Sequence, residues 1–492
     1  MKNVVTYSCL CFLFFFKINY GQENTNTLKN SKPNIIFVMT DDQGMGDFSC
    51  MGNEVVKTPN IDAFYDKSTR FTEYHVSPTC APTRAALMSG AHEFRSGVTH
   101  TILERERMAL DIYTLPQALQ SAGYKTGLFG KWHLGDADEY LPKNRGFNEV
   151  LMHGSGGIGQ VRLGDFPPNA ENVYFDNVLL HNKTIVKTKG FCTDVFFDAA
   201  LAWTKEKIDN KEPYFTYISL NAPHAPLVAP ESYKKRFLDL GYNEGTAGRY
   251  GMIENIDDNF GRLTKKLNEW NALDNTLIIF TTDNGATHLR GTLNGKKVKH
   301  FNANLKGGKN SPNEGGNHVP LFFYWKGVLT EGKNINQLTA HIDLYKTFTE
   351  LAGSKLPKNM QTLEGRSLLP FLENKYENWK DRLLFTHCGR WKSGQVENAK
   401  YTKMTIRSKQ CRFVNNTELY DVMNDPGERR NVASENPEVI SKFEQPYNEW
   451  WSSSIPFMIN ENRKRIKHQP LHIKYYKQLK EQGVLEWEPQ ID

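Results

Sequence analysis

At 492 residues the chain is longer than one typical hydrophobic core supports, so one large and one smaller domain are expected. Its 39% hydrophobic and 24% charged residues exclude a disordered or fibrous chain and describe an ordinary water-soluble globular protein. The formal net charge of +6 does not argue for a nucleic-acid partner, because much of the excess sits in Arg463-Lys464-Arg465-Ile466-Lys467, which reads as solvated surface.

Lys2 precedes an apolar run from Val4 to Phe16, closed by Lys17 and by small or polar residues around Gly21-Gln22. That order predicts a secretory signal peptide over residues 1–21, and hence a periplasmic or secreted protein. The run is short for a transmembrane helix and no later stretch qualifies, so no stable membrane insertion is expected. Of the seven cysteines, Cys9 and Cys11 would leave with the leader, and Cys50, Cys80, Cys192, Cys388 and Cys411 remain. Export permits disulfides; with Cys80 as the odd one out, Cys388–Cys411 is the favoured pair, both lying in the C-terminal region. No CxxC or CxxH spacing suggests structural zinc.

Asn34-Ile35-Ile36-Phe37-Val38-Met39 is a continuous apolar run, as in a parallel strand buried on both faces. It leads into Asp41-Asp42-Gln43-Gly44, where open α/β sheets place their ligands. Adjacent carboxylates repel and need a cation or basic partners; a hard divalent metal fits, and a solvated acidic turn is the bland alternative. Thr58 to Phe64 reads as a capped helix. A second helix opens at Cys80-Ala81-Pro82-Thr83-Arg84 and runs to Gly90. Pro82 suits the first turn, the amides there favour an anionic oxygen on residue 80, and Arg84 can reach back one turn to it. Taken alone, a buried thiol at a helix cap would be the ordinary reading of Cys80.

Leu115 to Ala122 reads as a helix ended by Gly123, and Lys125 to Gly130 as a short strand. Period-two spacing would point the following Lys131 and His133 to one side. The glycine-rich region Gly154 to Gly164 lacks the strand–GxGxxG–helix context of a nucleotide site and reads as an active-site loop. A buried strand from Tyr214 to Leu220 ends in Asn221-Ala222-Pro223-His224, and a long amphipathic helix spans Tyr250 to Asn271. Thr276 to Thr282 is a further strand, running into Asp283-Asn284-Gly285. Lys309 and Glu314-Gly315-Gly316 precede a strand from Val319 to Tyr324, and a helix covers Ile342 to Ala352.

Several apolar runs therefore end in polar clusters, which a parallel or mostly parallel sheet would align along one edge. The expected fold is α/β, a mostly parallel sheet flanked by helices. Beyond Leu369 the apolar runs shorten; Arg412 to Val414 and Glu418 to Val422 read as hairpin strands, and Asn424-Asp425-Pro426-Gly427 as a turn. A catalytic domain over 31–369 and a smaller α+β domain over 370–492 follow.

Assembled, these residues resemble the type I formylglycine-dependent sulfatases of the alkaline-phosphatase superfamily, across nearly all of the mature chain. Cys80 to Gly90 fits the signature of Cys or Ser, x-Pro-x-Arg and a small-residue helix ending in Gly. Asp41-Asp42-x-Gly44, Gly130-Lys131-Trp132-His133-Leu134-Gly135, Asn221-Ala222-Pro223-His224, Asp283-Asn284-Gly285 and Lys309 ahead of Glu314-Gly315-Gly316 follow in the family's order. The resemblance implies that a formylglycine-generating enzyme oxidises Cys80 to formylglycine (3-oxoalanine), whose hydrate is the nucleophile. It also implies a calcium ion held by Asp41, Asp42, Asp283, Asn284 and residue 80. Arg84 and Lys131 would stabilise the nucleophile, with His133 beside it as base, and His224 and Lys309 would grip the sulfate.

Such cations offset the repulsion between an anionic nucleophile and an anionic ester, and His224 would protonate the leaving oxygen. Export then suggests a sulfated polysaccharide as substrate, with His100, Arg105, Arg107, His387 and Arg390 either lining a sugar subsite or serving as ordinary surface residues. His318 stands where the family usually has arginine, for which altered local packing is expected; Ser155 is the only counterpart of a serine often seen near the sulfate. The rival readings are a phosphodiesterase or phosphonate monoester hydrolase of the same superfamily, and an inactive carbohydrate-binding relative.

Overall fold

The computed structural model describes residues 27–490 apart from 168–172, 378 and 465. The expected signal peptide over 1–21, with Cys9 and Cys11, lies outside the described residues. The main sheet has eleven strands. At its centre lie β1 (Asn34–Thr40), β2 (Lys125–Gly130), β3 (Tyr214–Ser219) and β4 (Thr276–Thr282), ordered β4-β1-β3-β2 and all parallel. Antiparallel strands flank this centre, among them Leu321–Tyr324 beside β4 and Val178–His181 with Thr184–Lys187 on the far side. The expected α/β architecture is present, with mixed edges.

Alternation along β1 divides the core. Ile35, Phe37 and Met39 face one layer with Phe215, Tyr217, Leu277 and Ile279. Helices α1 (Cys80–Ser89) and Asp343–Ala352 cover that layer through Ala81, Ala85, Leu344 and Phe348. Ile36 and Val38 face the other layer, under the helices Cys192–Asp209 and Glu244–Glu269. Both faces are dry, which is why β1 reads as an unbroken apolar run instead of an alternating one. Each fully buried large apolar side chain contributes roughly 1.5–3 kcal/mol.

A four-stranded antiparallel sheet follows, β5 (Leu384–His387), β6 (Met404–Arg407), β7 (Cys411–Val414) and β8 (Glu418–Asp421). Its own apolar cluster gathers Ile406, Phe413 and Leu419 with Phe443, Tyr447, Trp450 and Trp451 of the helix Pro437–Ser454. The chain then returns to the main sheet, where Leu485–Glu486 pairs with Thr184–Lys187.

The expected Cys388–Cys411 disulfide is absent, and all five cysteines of the described residues are free. Cys388 follows β5 at the end where its N–H meets the Lys403 carbonyl, whereas Cys411 opens β7 beside Ser408, at the opposite end and with β6 between.

Candidate active site

The four central strands point their C-terminal ends the same way, so the polar residues that follow them meet above one sheet edge. Asp41 and Asp42 leave β1, Lys131 leaves β2, the Asn221–His224 loop follows β3, and Asp283 and Asn284 leave β4. The N-terminus of α1 sets Cys80 among them, with all ten residues of the helix buried. Ligand atoms of Asp41, Cys80 and Asp283 lie within 4.8 Å of one another.

Each carboxylate has a basic partner. Lys131 Nζ donates to Asp41 Oδ2 at 2.5 Å and Lys309 Nζ to Asp42 Oδ1 at 2.5 Å. Arg84 donates from Nη2 and Nε to Asp283 Oδ2 at 2.8 and 3.1 Å. Arg84 also reaches the carbonyls of Lys131 and Leu220 and the Ser219 hydroxyl. These bonds fix its guanidinium on Asp283, with Cys80 close enough to act on its charge.

Burial pushes Asp41 up to about 6 against the pull of Lys131, and pushes Asp283 up to about 6 with Asp41 adding to the rise. Burial also works on Asp42, but Lys309 and His224 hold it well below the usual carboxylate range. Burial would raise the Cys80 thiol, yet Lys131 and Lys309 bring it below its ordinary value.

A hard divalent cation fits these donors. Asp41 Oδ1 and Asn284 Oδ1 are buried without a hydrogen-bond partner, although Asn284 Nδ2 donates to Asp42 Oδ1 at 2.8 Å. Oxygens left uncompensated beside two further carboxylates are what calcium or magnesium binds, and the Cys80 sulfur stands where an oxygen ligand would.

Two backbone features fix the arrangement. Asp42 and His133 have φ of 63° and 61°, a left-handed conformation that costs a non-glycine residue energy and persists where the surroundings enforce it. Gly285 packs so closely that a Cβ there would sit 1.8 Å from the Gly315 carbonyl oxygen, which ties Asp283-Asn284-Gly285 to Glu314-Gly315-Gly316.

β2 ends at Gly130, so strand alternation does not extend over Lys131 and His133. Lys131 turns to Asp41, while His133 Nε2 donates to the Thr101 carbonyl at 2.8 Å, leaving Nδ1 as a buried, unpartnered acceptor. Burial and Lys131 hold this ring well below its usual range, and so neutral. His224 Nδ1 donates to the Ala225 carbonyl at 2.6 Å and its Nε2 stands 3.8 Å from Asp42 Oδ2. The glycine-rich loop lies against both rings: a Cβ at Gly156 would strike His133, and one at Gly157 would be 3.3 Å from His224. Ser155 lines the same small cavity as His133.

Of the sugar-subsite candidates, His100, His387 and Arg390 line a cleft of about 620 Å³ beside the pocket. Arg105 is paired with Glu461 at 2.8 Å and Arg107 with Glu104, so both are structural. Sequence reasoning missed Ser219, Thr101 and Arg249. The last is buried in mid-helix and pairs at 2.5 Å with Asp47, just beyond the Asp41-Asp42 turn. A mid-helix arginine carries no local signal, and the Thr101 contribution is a backbone carbonyl that any residue would offer.

Residues 33–354 match the Sulfatase family model, and residues 311–450 match the model of the C-terminal region of N-sulphoglucosamine sulphohydrolase. Human N-acetylgalactosamine-6-sulfatase is 30% identical over 368 residues, 69% of this chain and 66% of that one. Human arylsulfatase A is 28% identical over 464 residues, 84% and 86% of the two chains. Among solved structures, Ps i-CgsB in complex with k-i-k-neocarrahexaose has a TM-score of 0.76 at 28% identity, covering 92% of this chain and 98% of that one. The phosphonate monoester hydrolase of Agrobacterium radiobacter shares the fold alone, at TM-score 0.59 and 20% identity over 86% of this chain and 96% of that one.

Proposed function

From the premise that this chain belongs to the sulfatase family and is a sulfuric ester hydrolase, we propose that it removes sulfate from a sulfated carbohydrate, a polysaccharide or its fragments, at the pocket around residue 80. The observation that carries this reading is the one-to-one pairing of Asp41, Asp42 and Asp283 with Lys131, Lys309 and Arg84 at the start of α1. Such a pocket offers carboxylates to a cation and ammonium groups to a sulfate. The substrates in the names of N-acetylgalactosamine-6-sulfatase and the neocarrahexaose complex support a carbohydrate.

Asp41, Asp42, Asp283 and Asn284, with residue 80, would hold calcium, which when bound supplies Lewis-acid stabilisation of negative charge. Residue 80 would work as formylglycine made from Cys80, its hydrate supplying a nucleophilic hydroxyl and a second hydroxyl for product release. Lys131 and Lys309 offset charge on the sulfate oxygens, each donor being worth on the order of a hundred- to a thousand-fold in rate. Arg84 fixes Asp283. With its Nδ1–H committed to the Ala225 carbonyl, His224 would act as the acid in its doubly protonated form, Asp42 beside Nε2 favouring the second proton that passes to the departing sugar oxygen, and His133 presents Nδ1 as the base.

The remaining parts of the reading are a signal peptide over 1–21 and export, maturation by a formylglycine-generating enzyme, and a division into domains over 31–369 and 370–492. No helix of the described residues is long and apolar enough to cross a membrane.

Peptide mass spectrometry of the protein from its native host should find an aldehyde at residue 80. Cys80→Ala should abolish turnover while leaving the unfolding transition in place. Paired sulfate and phosphate esters complete the test, since a clear phosphodiester preference or an active Cys80→Ala variant would sink the proposal.

A further inference from the structure

The 620 Å³ cleft beside the pocket has a chemistry that the reaction at residue 80 does not use. Its inner wall is continuous with the reactive centre. Asn310 follows Lys309, and its N–H donates at 2.9 Å to the carbonyl of Pro78, just ahead of Cys80. His100 precedes Thr101, whose carbonyl holds His133.

The outer wall is the segment between β5 and β6, which brings Arg390, Trp391, Lys392 and Lys403 to the opening. No aspartate or glutamate of the described residues lines the cleft. Among the described residues, none of the three cations there has a carboxylate partner; Arg390 reaches only the Asn310 side-chain oxygen. That sets them apart from Arg105, which bonds the Trp391 carbonyl and which Glu461 neutralises, and from helix-surface lysines such as Lys205 and Lys235, each paired with an aspartate.

Convergent cations left unneutralised beside a solvent-filled cleft are a built-in demand for an anion. Trp391 adds a fixed surface. Its indole N–H donates to Glu461 at 2.6 Å and Arg105 stands 5.1 Å from its ring centre, so the side chain is braced on two sides. A braced aromatic ring beside polar amides suits the face and hydroxyls of a sugar.

We propose that this cleft takes a second anionic group of the substrate, a sulfate or a carboxylate on the sugar next to the one being desulfated. The enzyme then prefers multiply charged oligosaccharides to monosulfated ones. This rests on the sulfatase reading of the adjoining pocket.

Calcium-loaded wild type and the Arg390→Ala, Lys392→Ala and Lys403→Ala variants are compared on para-nitrophenyl sulfate and on short fragments of carrageenan, chondroitin sulfate and heparin. For multiply charged fragments, KM should rise about five- to ten-fold per cation removed, and less so at high salt. Hydrolysis of para-nitrophenyl sulfate should not change. Removing the neighbouring sulfate from a fragment should cost wild type more than any single substitution does, and should cost each variant less than it costs wild type. A loss confined to fragments with a neighbouring sulfate identifies sulfate as the ligand; one confined to uronic acids identifies carboxylate.

Unchanged KM on every multiply charged fragment, or an equal loss on para-nitrophenyl sulfate, overturns the proposal. A wild type that cleaves no sulfate ester overturns the sulfatase reading instead. Calorimetric binding of the same fragments to wild type and Lys403→Ala then decides the cleft by itself, equal affinities refuting it.

Discussion

Replacing Arg84 by methionine tests the charge architecture of the pocket. The side chain is 1% exposed and donates twice to Asp283, which is fully buried, as well as to two carbonyls and a hydroxyl. Methionine fills much of the same space without a charge. Asp283 would then face Asp41 and Asp42 with no cation of its own, a change that typically costs about 3–5 kcal/mol for a broken buried pair. A calcium ion among Asp41, Asp42, Asp283 and Asn284 would supply the missing positive charge.

Linkage fixes the consequence: if losing Arg84 strengthens calcium binding, calcium must stabilise the variant more than it stabilises wild type. Urea unfolding is followed for both proteins in chelator and in saturating calcium. The variant should lose about 3–5 kcal/mol in chelator. Calcium should recover at least about 1.4 kcal/mol of that difference, the equivalent of a tenfold gain in affinity. An equal deficit with and without calcium would place Asp283 outside the cation site. No deficit at all would refute the claim that the pairing holds the pocket together.

Two further outcomes follow from single residues. His224→Ala should slow sulfated sugars by roughly a hundred-fold or more, because an alcohol leaves poorly without a proton donor, and should barely affect para-nitrophenyl sulfate; equal losses on both would remove His224 from that role. Glu93 is fully buried, and burial pushes its carboxyl from 4.5 up to about 7. The folded state therefore holds a proton that the unfolded chain releases, and stability falls as pH rises from the lower value to the upper, by about 3 kcal/mol in all. Glu93→Gln removes that loss, so by urea unfolding it should be stabilised at alkaline pH and unchanged near pH 4.5. A pH-independent difference would contradict the sign.

The centre of the fold was legible because parallel strands buried on both faces must be apolar throughout, as Ile35 to Met39 are, and because each runs directly into its polar cluster. Asp41, Lys131, His224 and Asp283 could thus be assigned to one edge before any coordinate was known. Interactions that depend on orientation were not legible. Arg84 could be placed one turn beyond residue 80, but nothing in the spacing says that its guanidinium pairs with Asp283. The left-handed turn at His133 defeats a period-two argument because the period ends with the strand. The Cys388–Cys411 pair failed for a related reason: nearness in sequence says nothing about β6 lying between their strands. The unneutralised state of Lys392 and Lys403 is also invisible in a sequence, where carboxylates abound.

The second cluster of metal-ligand type, His75, Glu314 and His318, shows how the C-terminal sheet belongs to the pocket. These side chains also bring ligand atoms within 4.8 Å of one another. Here, however, Arg412 Nη1 and Arg407 Nε donate to Glu314 Oε1 at 2.5 and 3.2 Å. His318 Nε2 donates to the Thr72 carbonyl at 2.7 Å, and its Nδ1 stands 2.7 Å from Glu314 Oε2 as an ion-pair contact. Two fixed guanidinium charges and the adjoining His318 imidazole already satisfy the carboxylate and would repel a cation. Burial works against the charge on Glu314, but His75, Arg412 and Arg407 hold it well below its usual range. The cluster is therefore an ion-pair hub. Arg407 and Arg412 come from β6 and β7, so the small sheet grips Glu314, Gly315 packs on Gly285, and Gly285 follows the two residues proposed to bind calcium. A histidine at position 318 fits here because it stands 2.7 Å from Glu314 and stacks on His75 at 4.7 Å, while Arg407 and Arg412 supply the fixed charge.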